Sequence, residues 1–137
     1  EAIRVSPALK VYVCNVAVQP GETDGYTVED HVRAIEDHVG PGLIDIVLAN
    51  NNLDPADGGW TNMEWVRPIY RLGERIPVVW EDLTDPSSPW RHQPDKLARC
   101  LLQLPLKPGR SKSGQVAPPP SPVNRLPSSD LHPGDLE

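Results

Sequence analysis

The residues with the most chemistry per unit length stand at 19–25, "QPGETDG". Glu22 and Asp24 offer carboxylates, and Thr23 a hydroxyl. Gly21 and Gly25 permit backbone conformations closed to other residues and allow close approach to a ligand. Carboxylates in such a loop accept hydrogen bonds from sugar hydroxyls, or hold a divalent cation through oxygen or water. The helix expected from Val28 would add free backbone N–H groups, which suit a phosphate. Two carboxylates repel the anion that a helix start attracts. A metal or sugar between them resolves the conflict; so do carboxylates that only cap turns. Both readings stay open on chemistry alone.

Elements on either side must position this loop. Residues 10–18, "KVYVCNVAV", form a nearly continuous apolar, β-branched run, the pattern of a strand covered on both faces. Downstream, Val28, Val32, Ile35 and Val39 make one helical stripe, with Thr27 suited to the N-cap and Asp30 three residues on. Gly40 and Gly42 stop it. Residues 43–50 read as a second strand and 76–83 as a third. The segment 60–73 is ambiguous: Trp60, Met63, Val66 and Tyr70 could share a helical face, yet Pro68 would kink it. Residues 84–93 read as a loop. A helix from Pro94 to Leu104 carries Leu97, Cys100, Leu101 and Leu104 on one stripe. The order β-α-β-(α)-β-α predicts an α/β fold, a mostly parallel sheet with helices on its faces. In such sheets ligands sit at the carboxyl ends of the strands, where this loop would lie.

Composition bounds the rest. The chain has 137 residues and net charge −6, with 9 basic and 16 acidic side chains in residues 1–104. An acidic body argues against nucleic acid as a partner. Residues 105–137 hold 8 of the 17 prolines and few large apolar groups, so a disordered, proline-rich tail is expected there, and 1–104 is the folded part. No apolar run approaches the length of a membrane span, and no signal peptide is seen, so cytoplasm is the expected location. Cys14 and Cys100 read as two buried, reduced thiols. The chain opens without methionine on a short amphipathic segment. With only three strands, it reads as part of a longer protein, or as an inactive truncated fragment, weakly stable or self-associating when alone because a sheet edge is open and one face uncovered.

The stretch "KVYVCNVAVQPGETDGYTVEDHVRAIEDHVG", followed by "IDIVLANN", resembles the YvcK-like gluconeogenesis factors, a branch of the CofD-like superfamily. Weaker similarity continues through "VVWEDL" and "HQPDKLARCLLQL". The resemblance implies an incomplete, C-terminal portion of a CofD-like, Rossmann-like α/β fold, a mostly parallel sheet with helices on both faces. It implies a nucleotide-linked small-molecule ligand: a uridine-diphosphate sugar in this branch, a guanylated phospholactate in the transferase branch. The former branch is a regulator tied to gluconeogenic growth, cell shape and wall synthesis; the latter transfers a phospho-acyl group with a divalent metal. Magnesium, and a homodimer, are therefore implied only for an intact parent. The family's glycine-rich first loop, early acidic motif and glycine-serine loop have no counterpart here, so no catalytic residue carries over. Asn15, Gln19, Gly21, Glu22, Thr23, Asp24, Gly25 and His31 fall on the family motif and are expected to form one wall of a ligand cleft.

Other residues carry weaker signals. His31 and His38 share a helix face, but no zinc spacing is present, and packing or capping is the commoner role for His31. His92 reads as structural. Glu81, Asp82 and Asp85 follow a strand and would line the same cleft or a solvated loop. Trp60, Trp65, Trp80 and Trp90 supply apolar bulk in a chain without phenylalanine. No serine has a nucleophile-elbow context, and Cys14 has no basic neighbour in sequence.

Overall fold

The computed structural model describes residues 2–53 and 63–104. The proline-rich tail and Trp60 lie outside the described residues. Three strands, β1 (Val11–Val13), β2 (Ile46–Asn50) and β3 (Val78–Glu81), form a parallel sheet in chain order. A short helix α1 (Ala2–Val5) precedes it, and α2 (Val28–Val39) connects β1 to β2. Then come β4 (Thr84–Asp85), β5 (Ser88–His92) and α3 (Pro94–Gln103). The expected α/β architecture with a parallel sheet is present.

Helix α2 occupies the range its apolar spacing predicts. Thr27 Oγ1 accepts from Asp30 N at 3.1 Å, and Asp30 Oδ2 accepts from Thr27 N at 2.8 Å, a complete capping box. Gly40 closes the other end at φ 83°, where Arg4 of α1 donates to the carbonyls of Val39 and Pro41. Inward, Val28 and Val32 pack on Val47 and Ala49 of β2 with Cys14, Val66 and Val78. Ile46 and Leu48 point to the other side of the sheet, as alternation requires, and are buried as well. A strand buried along its whole length explains the unbroken apolar run in its sequence.

Three expectations need correction. The run 10–18 is not one strand. Pairing with β2 ends at Cys14, whose N–H donates to Leu48 O at 2.9 Å. The chain then leaves the sheet, and Val16 and Val18 exchange hydrogen bonds with Val66 and Glu64. Apolar character persists because both partners bury it. Second, residues 63–73 form no helix. They run as an extended strap whose backbone binds residues 16–18 and then the start of α2. Pro68 forbids the helical ladder, and the strap finds its hydrogen bonds elsewhere. Third, the loop 84–93 is a β4–β5 hairpin. Asp85 Oδ1 accepts from Ser87 N at 2.8 Å and from its hydroxyl at 2.7 Å, forming the tight side-chain turn that reverses the chain. Of the two thiols, Cys14 is buried and Cys100 half-buried, and both are free. No described helix is long and apolar enough to cross a membrane.

Candidate functional site

Most of the loop's polar groups bind the loop itself. Thr23 Oγ1 accepts from Gln19 N at 2.9 Å, and Asp24 Oδ2 accepts from Gly21 N at 2.9 Å. Gln19 O accepts from the N–H groups of Glu22 and Thr23, each at 3.0 Å. Gly21 and Gly25 hold φ of 82° and 71°, so a side chain at either would be strained. Arg67 of the strap donates from Nη2 to Gly25 O. Of the predicted residues, Thr23 and Asp24 thus cap turns and the glycines shape them.

The expected phosphate seat at the start of α2 is not available. Val28 N donates to Arg67 O and Glu29 N to Ile69 O, both at 3.1 Å. Asp30 N is taken by Thr27 Oγ1, and His31 N by Thr27 O. The strap has consumed the donors that a bare helix end would offer an anion.

Two hollows among the described residues flank the loop, each of about 450 Å³, and five of the eight predicted residues divide between them. Asn15 and Gln19 line the first, at the carboxyl end of β1, together with Val16, Trp90, Arg91 and His92. The β4–β5 hairpin brings the last three there, and His92 Nε2 lies 3.0 Å from Cys14 O, fastening hairpin to strand end. Arg91 is exposed, a cation beside amide side chains and an indole. Glu22, Thr23 and His31 line the second hollow, with Tyr12, Tyr26 and His38. Gly21, Asp24 and Gly25 line neither of these hollows.

His31 is buried, and its Nε2 has no hydrogen-bond partner among the described residues. Burial pushes its pKa down, against a smaller upward pull from Asp30. The ring sits edge-on to Tyr26, centroids 5.2 Å apart. Packing is its evident role. Among the described residues no three His, Cys, Asp or Glu side chains converge to hold a metal ion. With Asp24 turned onto Gly21, the loop's donor set does not fit the magnesium that the transferase resemblance implies.

Sequence reasoning missed a polar cluster at the carboxyl ends of β2 and β3. Asn50 Oδ1 accepts from Leu83 N at 3.1 Å, while Asn52 Nδ2 reaches Asp82 and Thr84. Lys96 Nζ donates to Asp82 Oδ2 at 2.7 Å and Thr84 O at 3.0 Å. Burial raises the Asp82 pKa, but Lys96, Thr84 and Asn52 outweigh it and hold the carboxyl at about 2. Strand-end position signalled Asp82 and could have signalled Asn50; nothing in the linear order brings Lys96 to them.

Comparison with known proteins follows the same lines. Residues 1–64 match the family model described as 2-phospho-L-lactate transferase CofD. A gluconeogenesis factor of Bacillus subtilis is 37% identical over 111 residues, covering 76% of this chain and 35% of the relative. A putative gluconeogenesis factor of Aquifex aeolicus is 38% identical over 112 residues, with 76% and 34% covered. The crystal structure of a UPF0052-family protein from Bacillus halodurans superposes with a TM-score of 0.65 at 32% identity, covering 74% of this chain and 35% of that one. This chain therefore spans about a third of the length of these relatives. With the parallel sheet, the capped α2 and the loop between them, these similarities show that the chain belongs to the gluconeogenesis factors, within the CofD-like proteins.

Proposed function

We propose that the chain forms one wall of a nucleotide-sugar site in a regulatory protein of the gluconeogenesis-factor type. The first hollow is the seat. One observation carries this: the fold brings Asn15 and Gln19, from the end of β1, together with Trp90, Arg91 and His92, from the hairpin. Amide side chains read the edge of a base or a sugar. An indole offers a face for stacking. Arg91 supplies the planar, permanently charged fork suited to a diphosphate. Position agrees, since the hollow lies at the carboxyl end of a parallel strand. Cytoplasmic regulation of cell shape and wall synthesis during gluconeogenic growth is the role this ligand would serve. In an intact parent a second copy would complete the assembly.

No described group is arranged as a nucleophile or a proton-transfer pair beside this hollow, so the chain's own residues bind and orient. Titration calorimetry with uridine-diphosphate sugars tests the reading. The expected result is binding without turnover, and a loss of about tenfold in Arg91→Ala, as for one charge-assisted contact. Unchanged affinity in that variant, or turnover of a guanylated phospholactate, would overturn it.

A further inference from the structure

The second hollow shares no lining residue with the first, and its chemistry is different. Among the described residues no lysine or arginine lines it. The Glu22 carboxylate makes no hydrogen bond or ion pair among the described residues, unlike Asp24, two residues on. His38 Nδ1 lies 2.8 Å from Ala34 O. A carbonyl can only accept, so Nδ1 carries a proton, and in the uncharged ring Nε2 is then the acceptor. Tyr12 and Tyr26 contribute aromatic rings, and Ile35 and Val39 an apolar edge. The positive end of α2 nearby is offset by Glu29 and Asp30 and by its occupied N–H groups.

A hollow with an unpaired carboxylate, an imidazole acceptor, two aromatic rings and no cation is complementary to a positive, donor-rich ligand with an apolar body. We infer that this hollow binds a small organic cation, an alkylammonium or alkylguanidinium. Its charged head meets Glu22 and the His38 acceptor, and its methylenes lie along Tyr26, Ile35 and Val39. The inference does not depend on the nucleotide-sugar reading.

Calorimetry of the full chain with putrescine and agmatine tests it, with butane-1,4-diol as the uncharged match. Both cations are expected to bind and the diol not to. Glu22→Gln should weaken binding about threefold to fivefold, the range of an exposed ion pair, and added salt should weaken it further. Glu22 is exposed, so this variant keeps its fold. Tyr26→Leu should weaken binding without removing its salt dependence. No heat at millimolar cation, equal binding of the diol, or an unchanged Glu22→Gln variant would each overturn the inference.

Discussion

Helices α2 and α3 look alike in sequence and differ in the fold. Each has an apolar stripe and an N-cap side chain that accepts from the third residue of the helix. Yet α2 buries Val28, His31 and Val32, whereas α3 has no fully buried residue, and Leu102 is 85% exposed. The difference lies in what each helix meets. The stripe of α2 lies over β2, where Val47 and Ala49 receive it. Helix α3 is held by polar contacts at its first turn, through Lys96 to Asp82 and Thr84 O. Amphipathy states what a helix is able to cover; only the partner decides what it does cover.

The largest expected effect tests that contrast. Val32→Ala removes two methyl groups from a fully buried site and should cost about 2 kcal/mol in denaturant unfolding. Leu101→Ala, at an exposed site on α3, should change stability by no more than about 0.5 kcal/mol. Equal costs would mean that the α3 stripe is buried in solution, and the contrast would fail.

Capping gives the next effect. Thr27→Ala removes an oxygen that accepts from Asp30 N and a hydroxyl that donates to Asp30 Oδ2, so a loss of about 1–2 kcal/mol is expected. Gln93→Ala breaks a single bond, from Lys96 N at 2.5 Å, in a helix that buries little, and about 0.5 kcal/mol is expected. Thermal unfolding of both variants measures the difference.

This pair also shows how far the sequence could be read. Thr27, Asp30, the spacing from Val28 to Val39 and the glycine stop are local signals, and α2 follows them residue for residue. The parallel sheet followed from the alternation of elements. The strap and the hairpin were not legible. Val16, Ala17 and Val18 are apolar because Val66 and its neighbours cover them, not because they extend β1. A run of apolar residues does not name its partner. The same limit applies at the site. The eight motif residues include two that face the first hollow, but Trp90, Arg91 and His92 reach it only through the hairpin turn at Asp85. That turn depends on one carboxylate bonding to Ser87, a contact that composition does not announce.

Acid separates the two helices again. His31 is buried and its pKa is depressed below the ordinary histidine value, so the unfolded chain binds the proton more readily. Its contribution is complete above about pH 6.5, the ordinary value, and is lost as pH falls below it. His31→Phe should flatten the stability profile as pH falls below about 6.5, as read from urea midpoints. A profile that stays as steep would show that the ring is solvated or partnered in solution.

The α3 attachment should respond only in stronger acid, and weakly. Asp82 is depressed from 3.8 to about 2, with Lys96, Thr84 and Asn52 overcoming its desolvation. A depressed carboxylate stabilises the fold above its unfolded pKa. That stabilisation drains as pH falls from about 4 toward 2. The side chain is 45% exposed, so solvent and salt screen the pair. Lys96→Ala should therefore cost no more than about 1 kcal/mol at neutral pH, and less in high salt. Hydrogen exchange should place that loss in α3 and the hairpin, leaving the amides of α2 as protected as before. Exchange rising equally in both helices would mean that Lys96 supports the sheet as a whole, and that α3 is as integral to the core as α2.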